Sequence, residues 1–424
     1  MPEYRPRIVD TALERQLKGV GAVLIEGPKW CGKTTTGMMH SSSVVFMDNP
    51  AELAANLQLA DMDPQALLRG TPPLLIDEWQ LAPKLWDAVR FEVDRRGVPG
   101  QFILTGSAVP PKTDDINHSG TGRFAWLTMR PMTLFESRDS SGDVSLAELF
   151  EGQKTLYGNN SLDLEKIAWL MCRGGWPMAC SLYSDEALDL AFNYVDAVVR
   201  ADIMRVDDIR RSSETARRVL WSYARHQATQ ASISTIAQDV NSSTNASNDL
   251  KTVTSYIEAF RKIFVIEDSE AWNPNLRSKS AIRSTPTRYF VDPSIGAAAM
   301  GVGPRDLLND LNTMGLMFEG LCVRDLRVYA ESIGGKVYHF RDRNGLECDA
   351  VIHLRNGSYA LIEIKLGGDK LIDEGAANLL KLSSKIDTDR MKSPSFAMVL
   401  TAVGNRPYLR NDGVFVVPIG CLKN

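Results

Sequence analysis

The sequence has few of the residues from which zinc sites and disulfide frameworks are built. Its six cysteines are scattered over 424 residues without a CxxC pair, and its five histidines never take HExxH spacing. A structural zinc site is therefore not expected, and the cysteines are expected to be reduced.

Long hydrophobic runs are also missing. The longest clean apolar stretch covers about residues 396–403, far short of the ~20 residues that a membrane-spanning helix needs. The first residues, from Met1 to Arg5, lack the apolar region of a signal peptide. We therefore expect a soluble, cytoplasmic protein that does not contact membranes.

Neither sign of charge is in large excess. The chain has 48 Lys and Arg against 52 Asp and Glu, a formal net charge of −4. This balance argues against a protein that coats nucleic acid with its whole surface, although it does not exclude one basic face. Residues 200–290 carry 14 Lys and Arg against 10 Asp and Glu, a local net charge of +4. The length allows about two to four globular domains.

A phosphate-binding motif follows the first apolar, β-favouring run. Residues 27–34 read GPKWCGKT, which is the P-loop pattern GxxxxGK[ST]. Its glycines let backbone N–H groups turn toward phosphate oxygens, and Lys33 is predicted to reach the β- and γ-phosphates. The predicted nucleotide-binding residues are Gly27, Pro28, Lys29, Trp30, Cys31, Gly32, Lys33, Thr34 and Thr35.

Two later apolar strands end in polar side chains. Residues 74–76 lead into Asp77, predicted to hold Mg²⁺ together with the Thr34 hydroxyl, and into Glu78, predicted to polarise the attacking water as general base. In ATPases with an extra strand between the P-loop strand and the acidic strand, a polar residue there contacts the γ-phosphate or its water. Thr105 is the residue predicted for this role, with Ser107 in reserve.

Arg123 follows a Gly-rich stretch at residues 118–122. An arginine after such a loop can act as an arginine finger, either in cis or toward a neighbouring molecule, so Arg123 is included among the catalytic candidates. The alternative is an ordinary surface arginine.

In this order the motifs resemble those of AAA-type prokaryotic ATPases whose C-terminal half is a domain of unknown function. Besides the P-loop, the resemblance rests on YRPR at 4–7, IDEWQ at 76–80, FILTGS at 102–107, GR at 122–123, RGGWP at 173–177 and YFVD at 289–292. It covers nearly the whole chain and implies ATP rather than GTP. Trp79 is a departure, since a smaller aliphatic residue is more usual there, and we expect little consequence from it.

The middle of the chain has the pattern of a helical lid followed by a winged helix. Amphipathic stretches at 165–172 and 186–200 predict lid helices. The winged helix is predicted from three helices and two wing strands, at 214–228, 233–240, 249–263, 264–267 and 288–291.

On this interpretation, Lys251 to Tyr256 begin a recognition helix, and the basic wing from Arg277 to Arg288 follows a phosphate backbone. Many winged helices instead contact proteins, and this alternative stays open. The predicted DNA-contacting residues are Lys251, Arg277, Lys279, Arg283 and Arg288.

The C-terminal part has the pattern of a nuclease core. A helix with Glu319 near its start precedes three predicted strands, a helix and two more strands, at 336–340, 349–352, 360–365, 373–384, 396–400 and 414–417. Because side chains alternate along a strand, Glu363 and Lys365 are expected on one face. Glu319, Asp349 and Glu363 are the predicted Mg²⁺ ligands, and Lys365 would orient or deprotonate the attacking water.

This arrangement resembles the restriction-endonuclease-like, PD-(D/E)xK fold. An alternating strand with a solvated Glu–Lys pair is the alternative, and a fold of this kind can also be catalytically inactive.

Together these patterns predict a multidomain α/β protein. Its predicted parts are a P-loop AAA-type ATPase domain, a helical lid, a winged helix and a restriction-endonuclease-like domain, at 1–138, 139–209, 210–305 and 306–424. The predicted function is ATP binding and hydrolysis, with the nucleotide state coupled to DNA binding or processing. The alternative is a nucleotide-controlled protein-interaction or signalling switch with an inactive nuclease-like domain. The sequence leaves open whether the chain assembles with itself or with a protein partner.

Overall fold

The computed structural model describes residues 4–107, 119–182, 184–207, 209–242, 249–273, 285–389 and 391–424. The chain has a mixed α/β fold that divides into two units. The N-terminal unit comprises Met1–Pro131, Val198–Ser212 and Glu258–Val265, and the C-terminal unit contains the remaining segments. Within the described ranges, no helix is both long enough and apolar enough to cross a membrane.

A five-stranded sheet, parallel throughout, forms the centre of the N-terminal unit. Its strands are β1 (Ala22–Glu26), β2 (Ser43–Phe46), β3 (Leu74–Asp77), β4 (Phe102–Gly106) and β5 (Phe124–Thr128). Their spatial order is β2-β3-β4-β1-β5. β4 therefore lies between the strand that precedes the P-loop and the strand that ends in Asp77, which confirms the extra strand that the motif order predicts.

Both faces of the three central strands are covered, so β1, β3 and β4 each begin with an uninterrupted buried apolar run, as in other buried parallel sheets. Leu24, Ile76 and Leu104 belong to the core on one face, whereas Val23 and Ile103 belong to the core on the other. The helices of this unit are α1 (Ile8–Leu17), α2 (Lys33–Met39), α3 (Leu53–Met62) and α4 (Lys84–Arg96).

A mixed six-stranded sheet forms the centre of the C-terminal unit. Its strands are β7 (Gly335–Arg341), β8 (Glu347–Leu354), β9 (Tyr359–Lys365), β10 (Phe396–Thr401), β11 (Tyr408–Leu409) and β12 (Phe415–Pro418), in the order β11-β12-β10-β9-β8-β7. The first three pair antiparallel, whereas β10 runs parallel to both β9 and β12. Two short strands, β6 (Val144–Ser145) and β13 (Leu422–Lys423), pair with each other.

Two helices frame the antiparallel strands in the chain order that the sequence predicts. α14 (Leu311–Ser332) precedes β7, and α15 (Asp369–Lys385) connects β9 to β10. The remaining helices are α5 (Leu146–Phe150), α6 (Leu164–Arg173), α7 (Pro177–Cys180), α8 (Glu186–Arg200), α9 (Ser213–Arg225), α10 (Ile233–Ser242), α11 (Leu250–Lys262), α12 (Pro293–Met300) and α13 (Pro304–Asn309). The predicted helices of the middle region are thus confirmed to within a few residues.

The predicted wing strands are wrong as regular strands. Where they were expected, the chain forms only isolated antiparallel bridges, from Ile266 to Phe290 and from Ser269 to Thr287. Phe264, at the start of the first predicted strand, has a left-handed φ of 59°, which is incompatible with extended backbone.

A buried ionic network connects distant segments of the C-terminal unit. The Arg324 side chain is 1% exposed, and its guanidinium lies 2.8 Å from Asp292 and 2.7 Å from Asp325. Asp292 also accepts a hydrogen bond from the Gly175 amide, and Asp325 accepts one from the Leu134 amide. Desolvation by burial raises the pKa of Asp325 to about 6, although Arg324 opposes this shift. The buried charges are tolerated because each has a partner.

Replacing Arg324 by Met is expected to lower the free energy of unfolding by about 3–5 kcal/mol, because two buried carboxylates lose their cation. Urea denaturation followed by circular dichroism measures the loss. Arg341→Met is the matched control, since Arg341 pairs with Glu347 at 3.0 Å but both side chains are nearly half exposed. The control should lose less than about 1 kcal/mol, and equal losses in the two variants would contradict the structural role of Arg324.

Candidate functional site

The predicted phosphate loop begins directly after β1. Gly27 and Gly32 have φ angles of 154° and 104°, in the region that favours glycine. A Cβ atom at Gly27 would lie 2.1 Å from the carbonyl oxygen of Met129, so no side chain fits there. Gly32 caps the N-terminus of α2, which begins at Lys33. The local geometry therefore requires the two glycines of the motif where the sequence has them.

The side chain of Lys33 lies inside this loop. It is buried, and its Nζ donates hydrogen bonds to the carbonyl oxygens of Gly27 at 3.0 Å and Pro28 at 2.7 Å. The loop thus holds a positive charge at the point where the motif predicts the phosphates. A lysine in this position can neutralise charge on the β- and γ-phosphate oxygens.

Asp77 and Thr34 meet beside the loop. The Thr34 hydroxyl donates to Asp77 Oδ1 at 2.8 Å, and the Thr105 hydroxyl donates to the same oxygen. Burial raises the pKa of Asp77, whereas the hydrogen bonds from the two threonines lower it. A hydroxyl next to a carboxylate provides the hard oxygen donors that Mg²⁺ prefers, so these residues fit the predicted metal.

The Thr105 side chain contacts both residues of the acidic pair, Asp77 and Glu78. Besides its bond to Asp77, its hydroxyl accepts a hydrogen bond from the Glu78 amide at 3.4 Å. Its predicted contact with the γ-phosphate or its water stays a prediction.

Glu78 has an unusual backbone conformation. Its φ of 54° and ψ of 43° are left-handed, and a turn of 3-10 helix, Trp79–Leu81, follows at once. Its Oε2 accepts hydrogen bonds from the Ser107 hydroxyl at 3.1 Å and from the Gln80 amide. This conformation is strained for a residue other than glycine and persists only where the surrounding structure compensates for the strain. Such residues are concentrated at functional sites.

Two residues that the sequence did not single out support the loop. Arg7 is buried and donates to the carbonyl oxygens of Cys31 and Arg130, both at 2.8 Å. Asp202, in the 3-10 turn Asp202–Arg205, pairs with Lys29 at 2.6 Å. These contacts span 123 residues for Arg7 to Arg130 and 173 for Lys29 to Asp202. Only the YRPR segment gave a signal for Arg7, and nothing local marked Asp202.

The structure contradicts a role for Arg123 in cis. Arg123 directly precedes β5, so it lies level with Gly21, at the end of the strands opposite to the P-loop. Its guanidinium pairs with Asp94. Six residue steps along β1 separate that level from Gly27, roughly 20 Å at about 3.3 Å per residue. An arginine side chain does not reach that far. A role toward a neighbouring molecule stays a prediction.

A second cluster of charged side chains lies in the C-terminal unit. Lys365 Nζ is 2.6 Å from Glu363 Oε2 and 3.3 Å from Asp349 Oδ2. Glu363 and Lys365 lie on the same face of β9, as the sequence predicts. Glu363 is 2% exposed, so the alternative of a solvated Glu–Lys pair is wrong. The other Glu363 oxygen accepts a hydrogen bond from Asn378 of α15 at 3.4 Å.

Glu319 extends this cluster from α14. Its Oε1 accepts a hydrogen bond from the Tyr289 hydroxyl. Burial and the negative charge of Asp349 raise the pKa of Glu319 well above its ordinary value. The same two causes raise the pKa of Glu363 to about 7, and Lys365 partly offsets them. The four side chains predicted for a nuclease core thus form one electrostatically coupled cluster.

The three carboxylates do not converge on a common point. In the part of the chain that the structure describes, no group of three or more His, Cys, Asp or Glu side chains is arranged to hold a metal ion. The ammonium group of Lys365 contacts both Asp349 and Glu363. Magnesium binding by Glu319, Asp349 and Glu363 therefore stays a prediction. The arrangement of these carboxylates in the structure does not fit it.

The structure separates the predicted DNA-contacting residues. Lys251 is exposed at the start of α11, whereas Tyr256 is buried in the core. Arg288 is 3% exposed and bonds to Asp268 at 2.7 Å and to the Ala231 carbonyl at 2.9 Å, so its predicted contact with DNA is wrong. The other three, Arg277, Lys279 and Arg283, lie outside the described residues.

Comparison with known families agrees with the geometry of the N-terminal unit. Residues 20–137 match the family described as AAA domain. The N-terminal part is an AAA-type, P-loop ATPase-like domain. Residues 164–306 match one domain of unknown function (DUF8612) and residues 314–422 match another (DUF4143). The chain therefore combines an AAA-type domain with C-terminal segments that match domains of unknown function, and the AAA match supports ATP binding and hydrolysis.

Similar proteins include two from mycobacteria and one of known structure. The chain is 24% identical over 359 residues to the uncharacterized proteins Mb2031c of Mycobacterium bovis and Rv2008c of Mycobacterium tuberculosis, covering 83% of this chain and 72% of each relative. The Walker-type ATPase paby2304 of Pyrococcus abyssi is 14% identical, with a TM-score of 0.42, covering 70% of this chain and 99% of that one.

Replacing Arg7 by Met is expected to lower the free energy of unfolding by about 2–4 kcal/mol, because two buried carbonyl oxygens lose their donor. The affinity for ATP should fall as well, since one of these carbonyls belongs to the P-loop. Urea denaturation and nucleotide titration measure the two effects. Arg15→Met, a change on the exposed face of α1, is the control and should alter neither quantity. Full ATP affinity in the Arg7 variant would show that this contact does not shape the loop.

Proposed function

We propose that the N-terminal unit hydrolyses ATP at the edge of its sheet where β1, β3 and β4 end. The observation that carries the proposal is the meeting of Lys33, Thr34, Asp77 and Glu78 at that edge. The match to the AAA family supports ATP as the nucleotide.

In the proposed reaction, the loop amides and Lys33 bind the phosphates and neutralise charge that develops on them. Thr34 and Asp77 would hold Mg²⁺, which supplies further charge neutralisation when it is bound. Glu78 accepts a proton from the attacking water. Its Oε2 is occupied by two donors, whereas its Oε1 has no hydrogen-bond partner within the described ranges and is available for that proton.

A second candidate function is DNA processing by the C-terminal unit, controlled by the nucleotide state. The cluster around Lys365 favours it, because a lysine ammonium beside buried carboxylates can orient a water next to a phosphodiester, and a lysine in its neutral form can deprotonate that water. The Asp349 and Lys365 side chains are 16% and 25% exposed, so solvent reaches the cluster. Of the two predicted DNA-contacting residues that the structure describes, Lys251 on α11 is exposed.

Replacing Lys33 by Ala is expected to reduce ATP hydrolysis by at least about 100-fold, because the phosphates lose a buried cation. A steady-state phosphate-release assay measures the rate, and circular dichroism checks the fold. Lys18→Ala removes an exposed lysine from the end of α1 and should leave the rate unchanged. Hydrolysis at the wild-type rate in a folded Lys33 variant would refute the proposed site.

Replacing Lys365 by Ala is expected to abolish nicking of supercoiled, linear or branched DNA, assayed with and without ATP and added Mg²⁺. Lys370→Ala is the control, since that side chain is 89% exposed on α15. If no cleavage depends on Lys365, the C-terminal unit has a binding role. DNA binding that weakens steeply with salt would then indicate a DNA-binding function, and capture of a protein partner only in the ATP state would indicate an interaction switch.

A further inference from the structure

The carboxylate of Glu78 is held by two neighbouring side chains. Ser107 at the end of β4 and Gln80 in the turn after β3 both donate hydrogen bonds to Glu78 Oε2. We infer that Gln80 and Ser107 are positioning residues that fix the orientation of the Glu78 carboxylate, an assignment that rests on the proposed ATP hydrolysis.

The backbone brings Gln80 back toward Glu78. The left-handed conformation of Glu78 and the following 3-10 turn reverse the chain, so residues two apart can form a side-chain contact. Trp79 anchors this turn, because its buried indole packs against Trp86 with ring centroids 5.1 Å apart. The position of the Gln80 amide is therefore set by the fold of the turn.

Gly106 leaves just enough room for this arrangement. A Cβ atom at position 106 would lie 3.0 Å from Trp79 Nε1 and 3.1 Å from Gln80 Oε1, closer than ordinary van der Waals contact. Gln80 Oε1 is buried, and no hydrogen-bond partner for it exists among the described residues. Leaving a buried amide oxygen without a partner costs free energy. This cost is explained if the Gln80 amide is held in place for its bond to Glu78.

The geometry assigns different tasks to the two oxygens of Glu78. Two donors on Oε2 restrict rotation of the carboxylate, so Oε1 keeps a fixed direction and stays available to the attacking water of the proposed reaction. A general base must lie within hydrogen-bond reach of the proton that it accepts, and a misplacement of about 1 Å can cost up to about 100-fold in rate. The side-chain bonds of Gln80 and Ser107 go to Glu78 and not to Lys33 or Asp77.

The test measures hydrolysis and nucleotide binding separately in Gln80→Ala, Ser107→Ala and the double variant. Each single change should lower kcat by about 10- to 100-fold, with KM and the Kd for ATP within about twofold of wild type. The double variant should be slower still. Gln58→Ala is the control, since Gln58 is exposed on α3 and bonds only to the Met62 sulfur.

Two further variants separate positioning from a general structural effect. Gln80→Glu places a second carboxylate beside Glu78, so one of the pair retains a proton at higher pH and the acidic limb of the kcat profile should move upward. Gly106→Ala keeps every donor but crowds the Gln80 amide, and it should lower kcat while ATP still binds.

Three results would overturn the inference: unchanged kcat in the double variant, loss of ATP binding together with kcat in the single variants, or an unshifted pH profile in Gln80→Glu. Failure of the proposed function gives a different result, since hydrolysis by the wild-type protein would then be absent or would persist in Lys33→Ala. In that case the positioning role is refuted with it.

Discussion

Parallel pairing of β1, β3 and β4 is the constraint on which the nucleotide site depends. The register sets Ile25 opposite Thr105 and Ile76 opposite Leu104, so the three strands end at the same level. The P-loop leaves one strand there, the acidic pair leaves the second, and the hydroxyls of Thr105 and Ser107 leave the third. No helix or long loop is needed to bring these groups together, since the hydrogen bonds of the sheet already do so.

The C-terminal unit contains two groups of buried charges with different properties. Around Arg324, the carboxylates of Asp292 and Asp325 are fully buried and also accept backbone hydrogen bonds, so every charge has a fixed partner. Around Lys365, part of the Lys365 side chain and part of the Asp349 side chain remain exposed to solvent. The first group has the properties of a structural connection, because exchanging any partner is costly. The second can exchange partners with molecules from solution, which chemistry at that point would require.

The sequence was sufficient to predict those parts of the sites whose residues lie close together in the chain. The P-loop, the acidic pair at Asp77 and the alternation of Glu363 with Lys365 each depend on short spacings and on the regular geometry of a strand or turn. The position of β4 between β1 and β3 could also be predicted, because the motif order implies an extra strand there. Elements of the C-terminal sheet agree for the same reason, since the apolar runs that predict them are local.

Contacts between residues far apart in the chain could not be predicted from the sequence. Asp202 supports the P-loop through Lys29 across 173 residues, and no local pattern marks it. The YRPR segment marks Arg7, but it does not show that its side chain bonds to Cys31 and Arg130. A positive charge in a basic stretch does not say where its side chain goes: Arg288 is buried against Asp268. The prediction that Arg123 acts in cis was wrong, because its position after the Gly-rich stretch does not show at which end of the sheet the residue lies.

The contact between Gly106, Trp79 and Gln80 implies a limit on how this part of the sequence can change. The space beside the turn is shared, and a bulky indole at position 79 uses the volume that a methyl group at position 106 would need. A chain with a smaller residue at 79 would accept alanine at 106 more easily, whereas in a chain with tryptophan the side chains of residues 79 and 80 would have to shift by a few tenths of an ångström. The two positions should therefore vary together among related proteins, with Gln80 kept in place by whichever combination fills the space.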